Sequence, residues 1–405
     1  MLKKFIATSL LLGASSAFAG GLDLSEFSTA SSVGSAGVAN QTHNRDASTS
    51  ALNLAAMTNL EGDHVTGGLS LMDLGIEFKD DGNSVPGGSN TSNAGGQFGV
   101  PFLGYVHSIN EDVKFGLTLN SHFGLGLEYP TGWAGRYQIQ EITLQSINLT
   151  PSLAFRINDE WSVGFGLVLD YATMDIELKV NTLGPGDGTL EVEDDDLAVG
   201  TVVSLMYEPS EDTRFGLTYR SKIEHDFEDT AKATGFIPSF SPDVDVEVNT
   251  PQQVMFGVRH QLNEDLAVLG AANWQEWSDF GKMPTDINGN RLGVDKELDD
   301  TWGAGIAFEY QLNPEWLLMC GYHYDSAMTD TATRTADLPT GNIHRYGIGT
   351  EYQYSDKMTI GFAFEHVDLG SPNINQTNGI NGGNTLSGDY DNYINFYTVS
   401  INYKL

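Results

Sequence analysis

Apolar residues alternate with small or polar residues along long stretches of the chain. Between Trp161 and Tyr171 the apolar residues take every second position, and Gly, Ser and Asp fill most positions between them. The pattern returns from Trp302 to Leu312 and again from Tyr397 to Leu405. A period of two is the periodicity of β-strands, because successive side chains point to opposite faces. The sequence therefore predicts an all-β protein.

The second face of these strands is unusually rich in Gly, Ala and Ser. A soluble β-sandwich turns its large apolar face inward and presents Lys, Thr and Glu to water. Small residues on one face and bulky apolar residues on the other suit a crowded or channel-like interior surrounded by lipid. Aromatic residues near strand ends fit an interfacial girdle, with ordinary strand aromatics as the alternative. These residues are Tyr207, Tyr219, Tyr310 and Tyr354.

Short polar turns of similar sequence recur along the chain. They start near Ile109, Ile157, Pro209, Leu262, Leu312 and Tyr354. Their spacing of about 40 to 55 residues holds two strands of about ten residues and one longer connection. Tandem domain repeats would predict similar sequence throughout each period, whereas only the turns recur. The sequence predicts a transmembrane antiparallel β-barrel of about 14 strands over residues 64–405, with its short turns in the periplasm.

The long connections carry much of the negative charge. Three acidic examples are "DDGNSVPGGSN" (Asp80–Asn90), "EVEDDD" (Glu191–Asp196) and "PTDINGNRLGVDKELDD" (Pro284–Asp300). We expect solvated outer loops, and the alternative is a divalent-ion role bridging to lipopolysaccharide. A dedicated calcium loop is not predicted, because Gly289 stands fourth in "DINGN", where an EF-hand needs glycine sixth.

The first residues have the order of a secretory signal peptide. Lys3 and Lys4 supply the positive end, Phe5–Leu12 the apolar stretch, and Ala17–Ala19 the small-residue cleavage site. We therefore assign residues 1–19 to a signal peptide. No later run approaches the roughly 18 apolar residues that a membrane-spanning helix requires. The protein is expected in the cell outer membrane of a Gram-negative bacterium.

Residues 20–63 do not alternate and precede the first strand. "DASTSALNLAAM" predicts a short helix with Asp46 as a candidate N-cap. A barrel of fourteen strands is too wide for its own side chains to fill. We expect these residues to form a small N-terminal helical hatch, that is, a plug in the lumen. A disordered periplasmic tail is the alternative, although such a tail would contain fewer apolar residues.

Composition argues against several other functions. The chain of 405 residues has 54 acidic and 20 basic side chains, which disfavours nucleic acid as a partner. Its single cysteine, Cys320, excludes multi-cysteine metal sites. The sequence contains no catalytic or metal-binding motif, so no enzyme activity, metal or cofactor is expected. Trp274 and Trp277 in "NWQEW" are expected on opposite strand faces, in the girdle rather than stacked on a ligand.

Three segments resemble the FadL/TodX family of outer-membrane transporters for hydrophobic compounds. The first is "GLDLSEFSTASSVGSAGVAN" together with "DASTSALNLAAM", which is similar to the family hatch. The second is "SHFGLGLEYPTGWAGRY" (Ser121–Tyr137), and the third is "WSDFG" (Trp277–Gly281). The chain also departs from the family pattern. Asn53, Leu54 and Ala55 replace Asn-Pro-Ala in the hatch, His122 replaces a proline, and Leu405 replaces a terminal aromatic residue.

The resemblance implies transport of a hydrophobic molecule, such as a long-chain fatty acid, without catalysis. It assigns gating to Asn53, Leu54 and Ala55, and ligand binding to Leu22, Leu24 and Phe27. Lateral release is placed beside the third strand, and Gly124 and Gly126 suit a strand that must bend. The residues assigned to this strand are Ser121, His122, Phe123, Gly124 and Gly126.

Two alternatives remain open from the sequence. A general diffusion porin would lack a plug and carry rings of lumen charge, whereas the strands offer few inward charges, namely Asp170, Glu309 and Glu365. A transporter of aromatic hydrocarbons would have the same fold. Outer-membrane lipid, lipopolysaccharide and the barrel-insertion machinery are the expected partners, because the last strand keeps the spacing Tyr397, Val399, Ile401 and Tyr403. A monomer is expected.

Overall fold

The computed structural model describes residues 21–23, 29–182, 186–236, 241–377 and 384–405. The signal-peptide assignment, Leu24 and Phe27 lie outside these residues. Short helical elements occur near the start and in one later connection: α1 (Ala30–Gly34), α2 (Thr49–Leu52), a 3-10 helix (Leu54–Asn59) and α3 (Trp277–Phe280). In the described ranges no helix has the length and apolar character needed to cross a membrane.

Strands make up most of the chain. The first eleven are β1 (Gly21–Asp23), β2 (His64–Asp80), β3 (Gln97–Ser108), β4 (Val113–Asn120), β5 (Phe123–Glu128), β6 (Glu141–Arg156), β7 (Trp161–Asn181), β8 (Asp187–Ser210), β9 (Thr213–Arg220), β10 (Ile223–Thr230) and β11 (Lys232–Thr234). The others are β12 (Asp243–Thr250), β13 (Gln253–Gln261), β14 (Leu266–Gln275), β15 (Lys282–Ile287), β16 (Asn290–Asp295), β17 (Thr301–Asn313), β18 (Trp316–Asp325), β19 (Ile343–Ser355), β20 (Met358–Asp368), β21 (Asn373–Gln376) and β22 (Leu386–Lys404).

The large sheet closes on itself as a barrel. Neighbouring strands pair antiparallel in the order β2, β3, β4 with β5, β6, β7, β8, β9, β13, β14, β17, β18, β19, β20 and β22. Closure comes from β22, which pairs with β2 from His64↔Lys404 to Asp80↔Gly388. Because β4 and β5 are two parts of one wall strand, the described chain forms a closed barrel of 14 antiparallel strands, which confirms the predicted fold class.

The two ends of the barrel differ in their connections. We call one the short-turn end; its turns are residues 109–112, 157–160, 211–212, 262–265, 314–315 and 356–357. We call the other the long-loop end; its connections are residues 81–96, 129–140, 182–186, 221–252, 276–300, 326–342 and 369–385. A second sheet of four strands, β10, β12, β15 and β16, lies within these long connections, and we call it the outer sheet.

The alternation seen in the sequence becomes an inside and an outside. Along β7, Ser162 is buried while Trp161 and Phe165 are exposed, and Trp302 on β17 is 65% exposed. The outward positions form a broad apolar surface, as a bilayer requires. The aromatic residues proposed for the girdle also face outward, and Tyr207 stacks on Trp161 with ring centroids 4.3 Å apart.

Two local expectations were wrong. The acidic segment Glu191–Asp196 is not a loop, because it belongs to β8 and pairs with β7 up to the hairpin tip. Trp277 is not a girdle residue, since it lies in α3, is 2% exposed and contacts Phe123 and Phe280. In both cases the long-loop end supplied backbone pairing or packing partners that local sequence does not reveal.

Candidate functional site

The long-loop end of the barrel encloses an apolar cavity of about 70 Å³. Its walls are formed by the strands where they approach the long-loop end, by α3 and by the connection 326–342. The apolar lining includes the buried residues Leu125, Leu127, Trp277, Met328, Leu338 and Phe396. The aromatic group of Phe78, Tyr129, Trp133 and Tyr390 packs within the same apolar core, and Tyr129 and Trp133 stack with centroids 3.8 Å apart. The cavity is therefore bordered by side chains of the buried apolar core at this end of the barrel.

The third wall strand, formed by β4 and β5, reaches this cavity because its inward-facing positions change from even-numbered to odd-numbered residues. On β4 the inward residues are Lys114, Gly116, Thr118 and Asn120, and the bulky odd-numbered residues point outward. Asn120 pairs with Asn148 of β6, whereas Gly124 pairs with Gln145. One strand thus advances four residues while the other advances three, which is the geometry of a bulge. A one-residue slip exchanges the two faces of a strand.

The phase change gives the predicted strand residues distinct places. Ser121 and His122 form the interruption, where the His122 N–H donates to Asn148 Oδ1 over 3.0 Å. Phe123 then lies against Trp277 and Phe280, with centroids 6.4 and 5.5 Å apart. The bend therefore begins before the glycines to which the sequence analysis assigned it. Gly124 and Gly126 are buried within β5.

The barrel wall is incomplete beside this interruption. The part of β3 from Gln97 to Pro101 pairs with β2, yet the described chain contains no pairing between β3 and β5. The short strand β1 occupies the β5 edge instead, through Gly21↔Gly124 and Asp23↔Phe123. Leu22, one of the predicted ligand-binding residues, belongs to this strand.

Polar side chains form the lower boundary of the apolar cavity. The Arg345 Nε lies 3.3 Å from Asp325 Oδ2, and the Asn273 amide donates to Asp325 Oδ1 over 2.9 Å. His323 Nε2 lies 2.8 Å from Asn273 Oδ1. Asp325 and Arg345 also line a second cavity of about 50 Å³, which borders Ala36 and Gln41. We call Asn273, His323, Asp325 and Arg345 the polar belt.

Residues 29–60 lie inside the barrel, below the polar belt. The helix α1 contacts β19 and β20, and the 3-10 helix contacts β6, β7 and β8. Inward-facing glycines permit this close approach: a Cβ at Gly347 would come within 2.4 Å of the Val33 carbonyl oxygen, and one at Gly321 within 2.0 Å of the Ser35 carbonyl oxygen. The close approach of the inner segment also explains why one strand face is rich in glycine in the sequence.

Asn53, Leu54 and Ala55 lie together where this segment meets the wall. The Asn53 amide donates to the Gln41 carbonyl over 2.9 Å and to the Leu205 carbonyl over 3.1 Å, while its oxygen accepts from the Ala55 N–H. A Cβ at Gly164 would come within 2.4 Å of Leu54 Cβ. The helix predicted here is split at Asn53 into α2 and the 3-10 helix.

The lumen carries more charge than the sequence analysis predicted. Asp170, Glu309 and Glu365 are buried as inward residues, at 1%, 4% and 0% exposure. Other charged residues were missed there, including Lys114, Arg214, Arg220, Arg259, Asp325, Arg345 and Glu351. Each of them occupies an inward position in the same alternation as Glu309. The period of two in the sequence is therefore the signal that could have placed them in the lumen. Within the part of the chain that is described, no group of three or more His, Cys, Asp or Glu side chains is arranged to hold a metal ion.

Known proteins match the chain over nearly its whole length. A family model described as "Outer membrane protein transport protein (OMPP1/FadL/TodX)" matches residues 10–405. The long-chain fatty acid transport protein of Escherichia coli O6:H1 (strain CFT073) is 23% identical over 402 residues, covering 88% of this chain and 89% of the relative.

Solved structures match the fold. The crystal structure of a Pseudomonas aeruginosa FadL homologue has a TM-score of 0.85 at 20% identity and covers 96% of this chain and 100% of the other. The Ralstonia pickettii toluene transporter TbuX has a TM-score of 0.70 at 18% identity, with 94% and 99% covered. At these identities the structural matches establish the barrel architecture alone.

Proposed function

The chain belongs to the OMPP1/FadL/TodX family of outer-membrane transport proteins, and from that premise we propose that it transports long-chain fatty acids. Membership makes it an outer-membrane transporter of hydrophobic molecules and not an enzyme. Family membership does not assign the site residues, the hatch or the ligand, and these three assignments are proposed below.

The observation that carries the proposal is an apolar cavity that ends on the polar belt. A fatty acid has a long apolar chain and one carboxylate, so it matches both parts. Each methylene that leaves water for an apolar site gains about 0.8 kcal/mol. A guanidinium carries five N–H donors in a geometry that suits carboxylates, which makes Arg345 the proposed head-group contact. The name of the Escherichia coli relative agrees with this ligand class.

The proposed route begins at the long-loop end, which faces outward by the general rule for outer-membrane barrels. The ligand enters among apolar side chains of the long connections and reaches the cavity. The connection 326–342 lines the cavity of about 70 Å³, and its displacement would enlarge the cavity to admit a long chain. Residues 20–63 act as the hatch, with Asn53, Leu54 and Ala55 at its contact with the wall. Leu22, Leu24 and Phe27 are the residues proposed to bind the ligand.

Release is proposed to be lateral, beside the third wall strand. Among the described residues, β3 and β5 do not pair, and β1 is the strand that pairs with this edge of β5. Displacement of β1 would open a path between Phe123 and the lipid. An apolar ligand gains nothing by entering water, so a side exit into the bilayer keeps it in a favourable environment.

The proposed surroundings of the barrel follow from its outer surface. Large apolar side chains such as Leu69, Ile348 and Phe362 are half exposed on outward faces, which fits contact with outer-membrane lipid. Lipopolysaccharide would border the acidic long-loop end. We propose a monomer that reaches the membrane through the barrel-insertion machinery.

A second ligand class, monoaromatic hydrocarbons, is favoured by the small volume of the cavity. Competition binding separates the two classes: a long-chain fatty acid, the corresponding alcohol and toluene are compared on the purified protein. We expect the acid to bind more tightly than the alcohol, and Arg345→Met to remove that preference. Arg291→Met, on the exposed outer sheet, is the matched control. Tighter binding of toluene, with acid binding unaffected by Arg345→Met, would overturn the fatty-acid proposal.

The hatch is tested by deleting residues 20–63 behind an intact signal peptide. We expect the intact protein to conduct ions poorly in planar bilayers and the truncated barrel to show large, steady conductance. Tight fatty-acid binding should be lost with the segment. A full-length protein that is already open, and unchanged by truncation in conductance and binding, would make the porin alternative correct.

A further inference from the structure

A charged contact joins residues 29–60 to the barrel wall near the short-turn end. Arg45 lies between α1 and α2, and its Nη1 is 2.8 Å from Glu309 Oε1. Its Nη2 is 3.4 Å from Glu351 Oε2. Glu309 belongs to β17 and Glu351 to β19, with β18 between them. One guanidinium therefore connects the inner segment to two separate wall strands.

The two carboxylates depend on Arg45 to different degrees. Glu309 also accepts from Arg259 Nε, a wall residue, over 2.9 Å. Among the described residues, Arg45 is the only cation within 4 Å of Glu351. The side chains of Glu309 and Glu351 are 4% and 13% exposed, whereas that of Arg45 is 30% exposed. Withdrawal of Arg45 would leave Glu309 partnered and Glu351 without a cation.

We propose that Arg45 is a positioning residue that latches the hatch in its closed position, an inference that rests on the proposed hatch function. A largely buried carboxylate that loses its cation is costly, because water does not replace the lost interaction fully. The position in which Arg45 bridges both strands is therefore lower in free energy than a position in which Arg45 is withdrawn from Glu351. Partial exposure of Arg45 gives its guanidinium access to water, so that the contact is able to break during transport.

The latch differs from the other contacts of the segment. Asn53 and Ala55 make hydrogen bonds between neutral groups, and the glycine contacts are steric. Arg45 pairs its charge with two inward carboxylates of the wall, Glu309 and Glu351. Elsewhere Asn59 donates a neutral amide to the Glu208 carboxylate over 2.9 Å, and the Glu61 carboxylate that lies 3.7 Å from Lys404 Nζ belongs to an exposed side chain. Removing it should change how often the hatch opens without changing the barrel.

Single-channel recordings of Arg45→Met test this directly, since methionine keeps an unbranched apolar stem and removes the charge. We expect the fraction of time in the conducting state to rise several-fold, because Glu351 has lost its cation in the closed position. The control is Arg291→Met, which breaks an exposed pair with Glu247 on the outer sheet and should record like the unaltered protein. Glu351→Gln should also raise the open fraction. The double variant of Arg45→Met and Glu351→Gln should open no more often than Arg45→Met alone, because both changes remove one interaction.

The outcomes separate the latch from the hatch itself. A folded Arg45→Met protein with an unchanged open fraction overturns the latch if deletion of residues 20–63 opens the barrel. If the deletion also leaves conductance unchanged, the hatch proposal fails and the latch fails with it. Folding is checked by the different gel migration of boiled and unboiled protein. Should Arg45→Met fail to insert, Glu351→Gln decides, and an unchanged open fraction there overturns the latch.

Discussion

At the residue scale, short polar side chains hold the inner segment against the wall. Asn53 is fully buried and serves three hydrogen bonds, two to backbone carbonyls and one from an N–H. One of the carbonyls belongs to Leu205 on β8, so the side chain couples the segment to the barrel. Leu54 beside it packs onto Gly164 and needs no proline to keep that place.

Asn53→Ala should loosen the hatch without removing it. Each hydrogen bond lost from a buried group costs on the order of 1 kcal/mol. We expect brief conducting openings in planar bilayers, fewer than those of the protein lacking residues 20–63. Asn290→Ala, in an exposed turn, is the control. Steady conductance equal to that of the deletion would show instead that Asn53 alone holds the segment in place.

Titration at the outer sheet is a second residue-scale property. The pKa of Asp226, an exposed residue of β10, is raised to about 6 by partial desolvation of its carboxyl and by a hydrogen bond and repulsion involving the Asp245 carboxyl on β12. A raised folded-state pKa stabilises the fold below the ordinary value of about 3.9, and this contribution is lost as pH rises through about 6. The outer sheet should therefore be more stable in mild acid than at neutral pH.

Asp245→Asn should return the pKa of Asp226 toward the ordinary aspartate range. Carboxyl carbon NMR titration in detergent measures the midpoint. Hydrogen exchange of β12, corrected for its intrinsic pH dependence, should be slower at pH 5 than at pH 7 only while Asp245 is present. Asp356→Asn in a short turn should leave both results unchanged. An Asp226 midpoint unaffected by Asp245→Asn would contradict the proposed carboxyl pair.

At the element scale, one extra residue between β4 and β5 decides which face of β5 meets the cavity. The register gains a residue between the Asn120↔Asn148 and Gly124↔Gln145 pairs. Leu125 and Leu127 line the cavity as a result, although odd-numbered residues of β4 point outward. The same bulge separates β5 from β3 and leaves the wall incomplete.

Deletion of His122 should regularise this strand. Phe123 would then follow Ser121 directly, keep its inward face and continue the β4 register opposite β6. Pairing of β5 with β3 becomes available, which would close the side opening. We expect fatty-acid binding to persist in the purified protein while uptake of labelled fatty acid by cells falls several-fold. Deletion of exposed Asn83 is the control, and normal uptake without His122 would exclude release at this place.

At the scale of the whole molecule, the two ends of the barrel differ in structure and in charge. The long-loop end carries the outer sheet, the apolar cavity and much of the acidic charge, whereas the short-turn end holds both the start of β2 and the end of β22. In the described chain, pairing of β22 with β2 closes the ring of wall strands, and the break between β3 and β5 interrupts that ring. Outer-membrane barrels place such short turns in the periplasm.

Peptide-tag insertion tests this orientation. A tag between Asn288 and Gly289, in the turn joining β15 and β16, should bind antibody on intact cells. A tag between Asn158 and Asp159 should bind only after the outer membrane is permeabilised. Both proteins should keep the gel shift of a folded barrel. Labelling of the second tag alone on intact cells would reverse the proposed orientation.

Much of the architecture follows from local sequence. The two-residue alternation and the recurring turns predict strands, their number and the face toward lipid, because each depends only on neighbouring residues and on the apolar surroundings. The family resemblance added the ligand class and the place of the third strand. The phase change at Ser121 and His122 was beyond such reasoning, since Phe115 and Phe123 share the same sequence parity yet lie on opposite faces.

Only the tertiary structure decided which distant groups meet. Arg45 and Glu309 are 264 positions apart, and nothing local pairs them. Glu191–Asp196 alternates too little to reveal a strand, yet backbone pairing with β7 beyond the apolar band makes it one. Trp277 has the spacing of a strand residue but packs in α3 under the long connections. Local sequence determines period and burial preference, whereas closure of the barrel determines the neighbours, because contacts between remote strands exist only after the sheet has closed.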